Sequence, residues 1–390
     1  MKQPYAAIAA GTIVAVGVVL LVASVRPEAL SVGRIARVED FGAYWTGTVV
    51  NLRGENAYDP TNLAPLQRAI EPDRPTPLPA WSPPWTFAVF TPMAGLPFPA
   101  ARWVWLIIQL GTVFGTLTAL WRIYNGPNER LSVAWMLGLL WYPTLQTLGL
   151  GQHSSLVLLG VVGWLAGLSA GRPALAGALL ALVLVKPQNW HLVGSLVAVW
   201  AVSNRAWQMV AGIVGGSILL TAVAVVPNPL VFEQYREALT ARPPSEMIPP
   251  TLGTLLRLAF GPERFWLAFV PAVGAQVWGI RYYFVNRHHW VWADRLPILL
   301  LVSFMTSPYG WVYDQILFLV PLARVFATAT ARRPKAVAPM LMVVTGVTTV
   351  CLAMNAAKYQ EFTFVWLAPL TLVLYCWGMR LAKRTEPTHV

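Results

Sequence analysis

Four stretches of this chain set charged or amide side chains beside long apolar runs, where burying them is costly and a functional reason is the default. The first is EDFGAYWTGTVVNLRGENAYDP, residues 39–60, which opens on the acidic pair Glu39 and Asp40. A carboxylate held ionised at a helix N-terminus and facing a cavity can take a proton as a general base, and Asp40 is the candidate. Behind it, Tyr44 and Trp45, like Trp81 and Trp85 further on, have the flat faces that stack on sugars. The second stretch is LVLVKPQNW, where Lys186 closes an apolar run and Pro187 breaks the helix. A lysine there can hold a phosphate as a compact point charge, snorkelling to the interface being the competing account. Gln188 and His191 follow it as possible ligand contacts. In the third, Gln152 and His153 follow Gly149 and Gly151 at another helix entrance, where simple capping is the plainer reading. The fourth is TSPYGWVYDQ, in which Asp314 is a second acid, an orienting group, or an N-terminal cap. Arg242 and Arg257, in a polar stretch at 227–262, are further phosphate-binding candidates or solvated loop arginines. There is no HExxH, nucleophile elbow, P-loop or metal-ligand cysteine spacing, so no metal or cofactor is expected.

The elements that must position these residues cross a membrane. Of the 390 residues, 56% are hydrophobic and only 11% charged, with a mean hydropathy of +0.56. The apolar runs show no strand-like alternation, so an all-α polytopic membrane protein is expected, a single membrane domain over 1–390. About twelve spans fit the pattern, at roughly 5–25, 101–122, 131–148, 153–169, 173–186, 189–203, 206–226, 263–284, 293–306, 311–328, 336–354 and 362–380. The first is read as retained rather than cleaved, because it is long for a signal core and lacks a good cleavage site. Several of the middle spans are short, which is tolerated where helices line a cavity. The Pro-broken stretch 81–97 is too short to cross and reads as re-entrant or interfacial. In the first outer loop, 26–80, the apolar spacing from Phe41 to Leu52 predicts a short amphipathic helix on the membrane surface. Gly54 should end it and Asp59-Pro60 should start a turn.

Short loops rich in arginine and lysine fall on one side of this arrangement and define it as cytoplasmic, with both termini there. The outer side, with its two long loops 26–80 and 227–262, is then balanced in charge as a whole. The net charge of +12 is a topology signal and calls for no nucleic acid. All four polar stretches face the extracytoplasmic side. Cys351 and Cys376 lie in apolar runs and read as core fillers rather than a disulfide.

Taken in order, these motifs resemble glycosyltransferase family 87. The matching residues are Asp40-Phe41, Tyr44-Trp45, Gly54, Tyr58-Asp59-Pro60, Ser82-Pro83-Pro84, Gly151-Gln152 and Ala176-Gly177. They continue with Lys186-Pro187-Gln188, Leu252-Gly253, Leu255-Leu256 and Ser307-Pro308, so the likeness spans roughly 38–325. The resemblance implies a GT-C-type fold in a cell inner (plasma) membrane. It implies transfer of a sugar, mannose first among them, from a polyprenyl monophosphate to a hydroxyl of a glycolipid, glycan or protein. Asp40 would be the base, Lys186 would steady the leaving phosphate, and the anomeric centre would invert without a metal. Some members carry histidines after the Ser-Pro turn where this chain has Tyr313 and Asp314, so no histidine role is carried over. A flippase for lipid-linked sugars is the alternative from another class, but such a transporter should show inverted repeats and none is visible. An arabinofuranosyl or other pentose or hexose transferase is the nearest competitor within the class.

Overall fold

The computed structural model describes residues 39–383, and the span expected at 5–25, with the start of the first outer loop, lies outside the described residues. Among the described residues every regular element is helical. Five helices are long and apolar enough to cross a membrane: Phe98–Ile123, Trp207–Val225, Val312–Arg332, Pro334–Ala356 and Glu361–Ala382. The expected count of about twelve exceeds this because several apolar runs are built from interrupted pieces. The run at 131–148 splits at Trp141, whose backbone is extended ahead of Pro143. The run at 173–186 passes from an α-helix into a 3-10 turn before Pro187.

In chain order the helices are α1 (Asp40–Leu52), α2 (Pro60–Ile70), α3 (Phe98–Ile123), α4 (Ser132–Leu140), α5 (Tyr142–Leu150) and α6 (Ser154–Ser169). Then come α7 (Pro173–Leu180), α8 (His191–Ser203), α9 (Trp207–Val225), α10 (Val231–Ala241), α11 (Leu252–Phe260) and α12 (Val270–Asn286). The last four are α13 (Trp292–Thr306), α14 (Leu319–Arg332), α15 (Pro334–Ala356) and α16 (Leu367–Lys383). The main apolar core runs through α3 to α8 and α13 to α16, with Trp121, Trp141 and Trp164 fully buried. Helices α7 and α9 approach so closely that a Cβ on Gly177 would stand 1.9 Å from the Met209 carbonyl oxygen, and one on Gly212 2.0 Å from that of Ala174. Small residues at such a crossing let membrane helices gain dispersion contact where no hydrophobic effect drives them together.

The first-loop helix departs from expectation. Rather than lying on a surface, α1 is buried almost all round, from Phe41 to Asn51. Gly42, Ala43 and Gly47 keep it slim, and its aromatics stack into a cluster with Phe90, Phe98 and Trp105. The Pro-broken stretch at 81–97 supplies part of that cluster as short helical turns, Pro84–Thr86, Phe87–Phe90 and Thr91–Met93. The surface-seeking pattern belongs to α11, in the 227–262 stretch, which leaves Leu255, Leu258 and Phe260 exposed. Gly54 does end α1, at φ +76°. Asp59 starts a helix, α2, accepting the Thr61 N–H at 2.8 Å with Pro60 in the first turn. Cys351 is buried as expected, whereas Cys376 is exposed on α16.

The chain order alone sorts the ends of these helices. The C-terminal ends of α7, α9 and α13 and the N-terminal ends of α6, α8, α10 and α12 all lead to the polar motifs. The basic turns at Arg122, Arg172, Arg205, Arg287 and Arg332 fall at the opposite ends.

Candidate active site

The site is assembled at breaks between helices. Lys186 precedes a proline, which disfavours helical geometry for it, and its backbone sits at φ −144°, ψ 68° between two 3-10 turns. Gln152 follows Gly151, whose left-handed φ of +69° reverses the chain between α5 and α6. That reversal is held by one face of α3. Arg102 donates to the carbonyls of Leu148 and Gly149 at 2.8 and 2.9 Å, Trp105 to Gly151 at 2.8 Å, and Gln109 to the Gln152 carbonyl at 2.7 Å. The orphan carbonyls at the end of α5 are thereby satisfied inside an apolar region.

From these breaks a continuous polar network is built. Gln152 donates through Nε2 to Asp40 Oδ2 at 2.7 Å. Its Oε1 accepts from the Tyr44 hydroxyl and from Lys186 Nζ, both at 2.9 Å. Lys186 Nζ also donates to Ser154 Oγ at 2.9 Å and pairs with Asp314 Oδ1 at 2.6 Å. Ser154 donates to the same Asp314 oxygen at 2.6 Å, and Asp314 Oδ2 caps the Trp311 N–H at 3.0 Å. Asp314 thus serves as ion-pair partner and helix cap at once. The lysine ammonium lies 4.2 Å from the centroid of the Tyr313 ring.

Asp40 is the first residue of α1, with Glu39 at the cap position making no side-chain cap. Its carboxylate is turned away from the helix amides toward Gln152. Burial pushes the Asp40 carboxyl above its ordinary value, with Glu39 and Asp314 adding to the rise; the Gln152 hydrogen bond and the Lys186 charge pull it back. Burial also pushes the Tyr44 phenol well up, so it stays a donor to Gln152.

A cavity of about 350 Å³ opens beside this network. Lys186, Gln188, Tyr44 and Trp81 line it, with Tyr235, Tyr309, Trp311 and Tyr313. The Lys-Pro-Gln and Ser-Pro turns meet there, the Ser307 hydroxyl lying 3.0 Å from the Gln188 carbonyl oxygen. The 227–262 stretch reaches it through Met247, whose Sδ lies 3.1 Å from the Tyr309 hydroxyl, which also accepts from Trp311 Nε1 at 2.7 Å.

Of the residues singled out in the sequence, Asp40, Tyr44, Gln152, Lys186, Gln188 and Asp314 come together in the network or on the cavity wall. Others do not. Trp45 is packed away, its indole donating to the Met93 carbonyl at 3.1 Å and its ring edge-on to Phe98. His153 is fully buried behind Tyr44, edge-on at 4.5 Å between ring centroids. His191 faces α13 and α12, with Ser303 O at 3.0 Å and Gln276 Nε2 at 3.3 Å. Arg242 ends α10 in an exposed position off the cavity wall. Arg257 is no free phosphate ligand: its guanidinium donates to the carbonyls of Ser245, Met247 and Pro262 and stacks behind Phe265. Sequence reading passed over Ser154, next to the Gln-His pair, and the aromatic wall residues Tyr309 and Trp311 inside the Ser-Pro motif. It also passed over Tyr235, which no motif announces.

The described residues form a helical bundle with membrane-length apolar helices and a cavity beside a buried acid–amide–lysine network, the build of a membrane protein with a polar site. The model of glycosyltransferase family 87 matches residues 82–308, more than half of the chain, and the chain belongs to that family of membrane glycosyltransferases. No curated protein and no solved structure matches it. The matched stretch contains Gln152 and Lys186, while Asp40 and Asp314 lie outside it.

Proposed function

We propose that this protein moves a sugar, mannose first among the candidates, from a polyprenyl monophosphate to a hydroxyl of an extracytoplasmic acceptor, with inversion. Asp40 takes the proton of the attacking hydroxyl as the new oxygen–C1 bond forms. The bond from C1 to the phosphate oxygen breaks on the opposite face, and the departing polyprenyl phosphate is steadied by the Lys186 ammonium. Asp314 and Ser154 hold that ammonium in place, and Gln152 fixes the distance between base and cation. One base and one phosphate ligand suffice, so no covalent intermediate is involved.

The observation that carries this reading is the unbroken chain Asp40–Gln152–Lys186–Asp314 at the edge of a cavity within the size range of small-molecule sites. A flippase has no use for an acid and a lysine locked at fixed separation. Tyr44, Trp81, Tyr309 and Trp311 give the cavity aromatic faces suited to a sugar ring.

The test is transfer of labelled sugar by the purified protein, supplied with polyprenyl-phosphate-mannose and a membrane-lipid extract. Asp40→Asn should lower turnover by at least about a hundredfold, the usual worth of a general base, while the protein still folds. Lys186→Ala should mainly raise the donor concentration required. Wild-type turnover in Asp40→Asn would discard that base. Failure of the wild type with every member of a panel of lipid-linked sugars would discard the transferase reading for these donors.

A further inference from the structure

The turn that carries Lys186 and Gln188 onto the cavity wall is not a regular helix. Pro187 offers no N–H, and the chain passes through two 3-10 turns, Ala181–Val185 and Pro187–Trp190, before α8 begins at His191. Its carbonyls are held from α13 and the Ser-Pro turn. The Gln188 carbonyl accepts from the Ser307 hydroxyl at 3.0 Å, and the Asn189 carbonyl from that of Ser303, also at 3.0 Å. Ser303 Oγ accepts in turn from the Leu192 N–H, in the first turn of α8, at 3.3 Å. Ser303 is fully buried near the end of α13, so it ties the start of one helix to the end of another.

His191 completes the clasp. The Ser303 carbonyl can only accept, so His191 Nε2 carries the ring hydrogen and donates to it at 3.0 Å. On the ring's other edge, Gln276 of α12 donates through Nε2 to Nδ1 at 3.3 Å and to the His191 carbonyl at 3.0 Å. That carbonyl also can only accept, which fixes the orientation of the amide, and Gln276 Oε1 accepts from the Ser195 hydroxyl at 2.6 Å. One neutral imidazole, donor on one edge and acceptor on the other, thus joins α8, α12 and α13 at the residue that follows the turn. The cavity wall includes Lys186 and Gln188 but not His191. The ring therefore acts on the cavity through the backbone.

We propose that His191 is a positioning residue: with Ser303 and Gln276 it holds the Lys-Pro-Gln turn so that Lys186 and Gln188 stand at one fixed place on the cavity wall. Lys186 is pinned at its ammonium by Gln152, Ser154 and Asp314, and by this clasp at its backbone. The consequence for a donor phosphate deepens the transferase reading and rests on it; the fixing of the turn does not.

The test uses the purified full-length protein carrying Cys351→Ala, Cys376→Ala and Gln188→Cys, the last as a reporter on the cavity wall. The rate of alkylation at position 188 by N-ethylmaleimide is compared with His191 intact, with His191→Phe and with His191→Gln. Phenylalanine keeps the bulk of the ring and loses both bonds, whereas the glutamine amide N–H replaces the Nε2 donor. His191→Phe should change the rate by about tenfold, the weight of a hydrogen bond to a buried group, and His191→Gln should change it less. If His191→Phe fails to fold, Ser303→Ala and Gln276→Leu carry the same comparison.

With Gln188 restored, His191→Phe should raise KM for the lipid-linked donor by about tenfold and leave KM for the acceptor alone, adding nothing further in a Lys186→Ala background. An alkylation rate that stays put while the melting temperature falls would mark a purely structural bond and overturn the proposal. So would additive losses from His191→Phe and Lys186→Ala, or an acceptor KM that rises along with the donor KM. A shifted alkylation rate in a protein that transfers no sugar from any donor would sink the transferase reading and leave the positioning of the turn standing.

Discussion

The Lys186 ammonium has three hydrogens, and all three are engaged, by Gln152, Ser154 and Asp314. An arriving phosphate must displace one of them. The charged pair with Asp314 is the strongest and the amide of Gln152 the easiest to give up, because Tyr44 still satisfies its oxygen. Gln152 is thus a positioning residue between two charges, and its effect on the base can be read separately from its effect on rate. Its hydrogen bond lowers the Asp40 carboxyl against the larger rise caused by burial. A raised carboxyl loses its capacity as a base when pH falls through its own value, so the acid limb of the activity profile should lie above the ordinary carboxylate range. Gln152→Ala removes the bond that holds the carboxyl down and should move that limb to still higher pH, besides slowing transfer. A kcat/KM profile against pH checks this, and a limb that stays in place or moves down would show that Gln152 does not act on the base. The stability sign is opposite in sense to that of a paired acid. Burial of the Asp40 charge opposes folding above its raised value and ceases to do so as the carboxyl protonates at lower pH.

At the scale of elements, the site exists because helices stop where they do. Proline after Lys186 and glycine before Gln152 were legible in the sequence as breakers, and the structure turns both into site corners. What could not be read was the support. Arg102, Trp105 and Gln109 are ordinary members of an apolar helix until α5 ends against them and needs its carbonyls capped. The role of α1 was misread for a related reason: spacing marks the apolar face of a helix but not whether its other face meets water or protein. In α1 the threonines are absorbed locally, Thr46 and Thr48 donating to carbonyls a turn back at 2.7 Å, so polar residues cost little when buried. The bracing of His191 was invisible because Gln276 and Ser303 lie 85 and 112 residues away in sequence. Arg257 shows the reverse, a loop arginine whose charge suggested a ligand but whose geometry is a clamp. Replacing Arg257 with Met should leave the carbonyls of Ser245, Met247 and Pro262 unpaired, at about 1–3 kcal/mol for each such group that stays buried. The loop over the cavity should then be cut faster by added protease, with the rest of the bundle intact. Unchanged cleavage would mean the clamp is dispensable.

The whole molecule has two dissimilar ends. Along the chain, each helix that begins at a basic turn runs toward the end that carries the polar motifs, and the next returns; α6 starts beside Gln152 and stops near Arg172, and α8 starts at His191 and stops near Arg205. The loops at 53–59 and 227–230 meet at the polar end, where Asn228 donates to the Glu55 carbonyl at 2.9 Å and Asn51 to that of Ala224 at 2.9 Å. Arginine and lysine at short loops face the cytoplasm, because moving them across the bilayer is the costlier alternative during insertion. On that rule we propose that the cavity opens on the far side, where donor and acceptor would have to be delivered. The orientation is testable without any assay of transfer. Cys376 is exposed and Cys351 buried, so both should first be replaced by alanine. Glu237→Cys, exposed on the second outer loop, should then react with a membrane-impermeant maleimide in intact spheroplasts. Asn204→Cys, exposed at a basic turn, should react only after the membrane is opened. The inverse labelling would place the site in the cytoplasm and force a different source for the sugar. Labelling of both residues in sealed spheroplasts would mean the helices do not traverse the bilayer as the charge pattern requires.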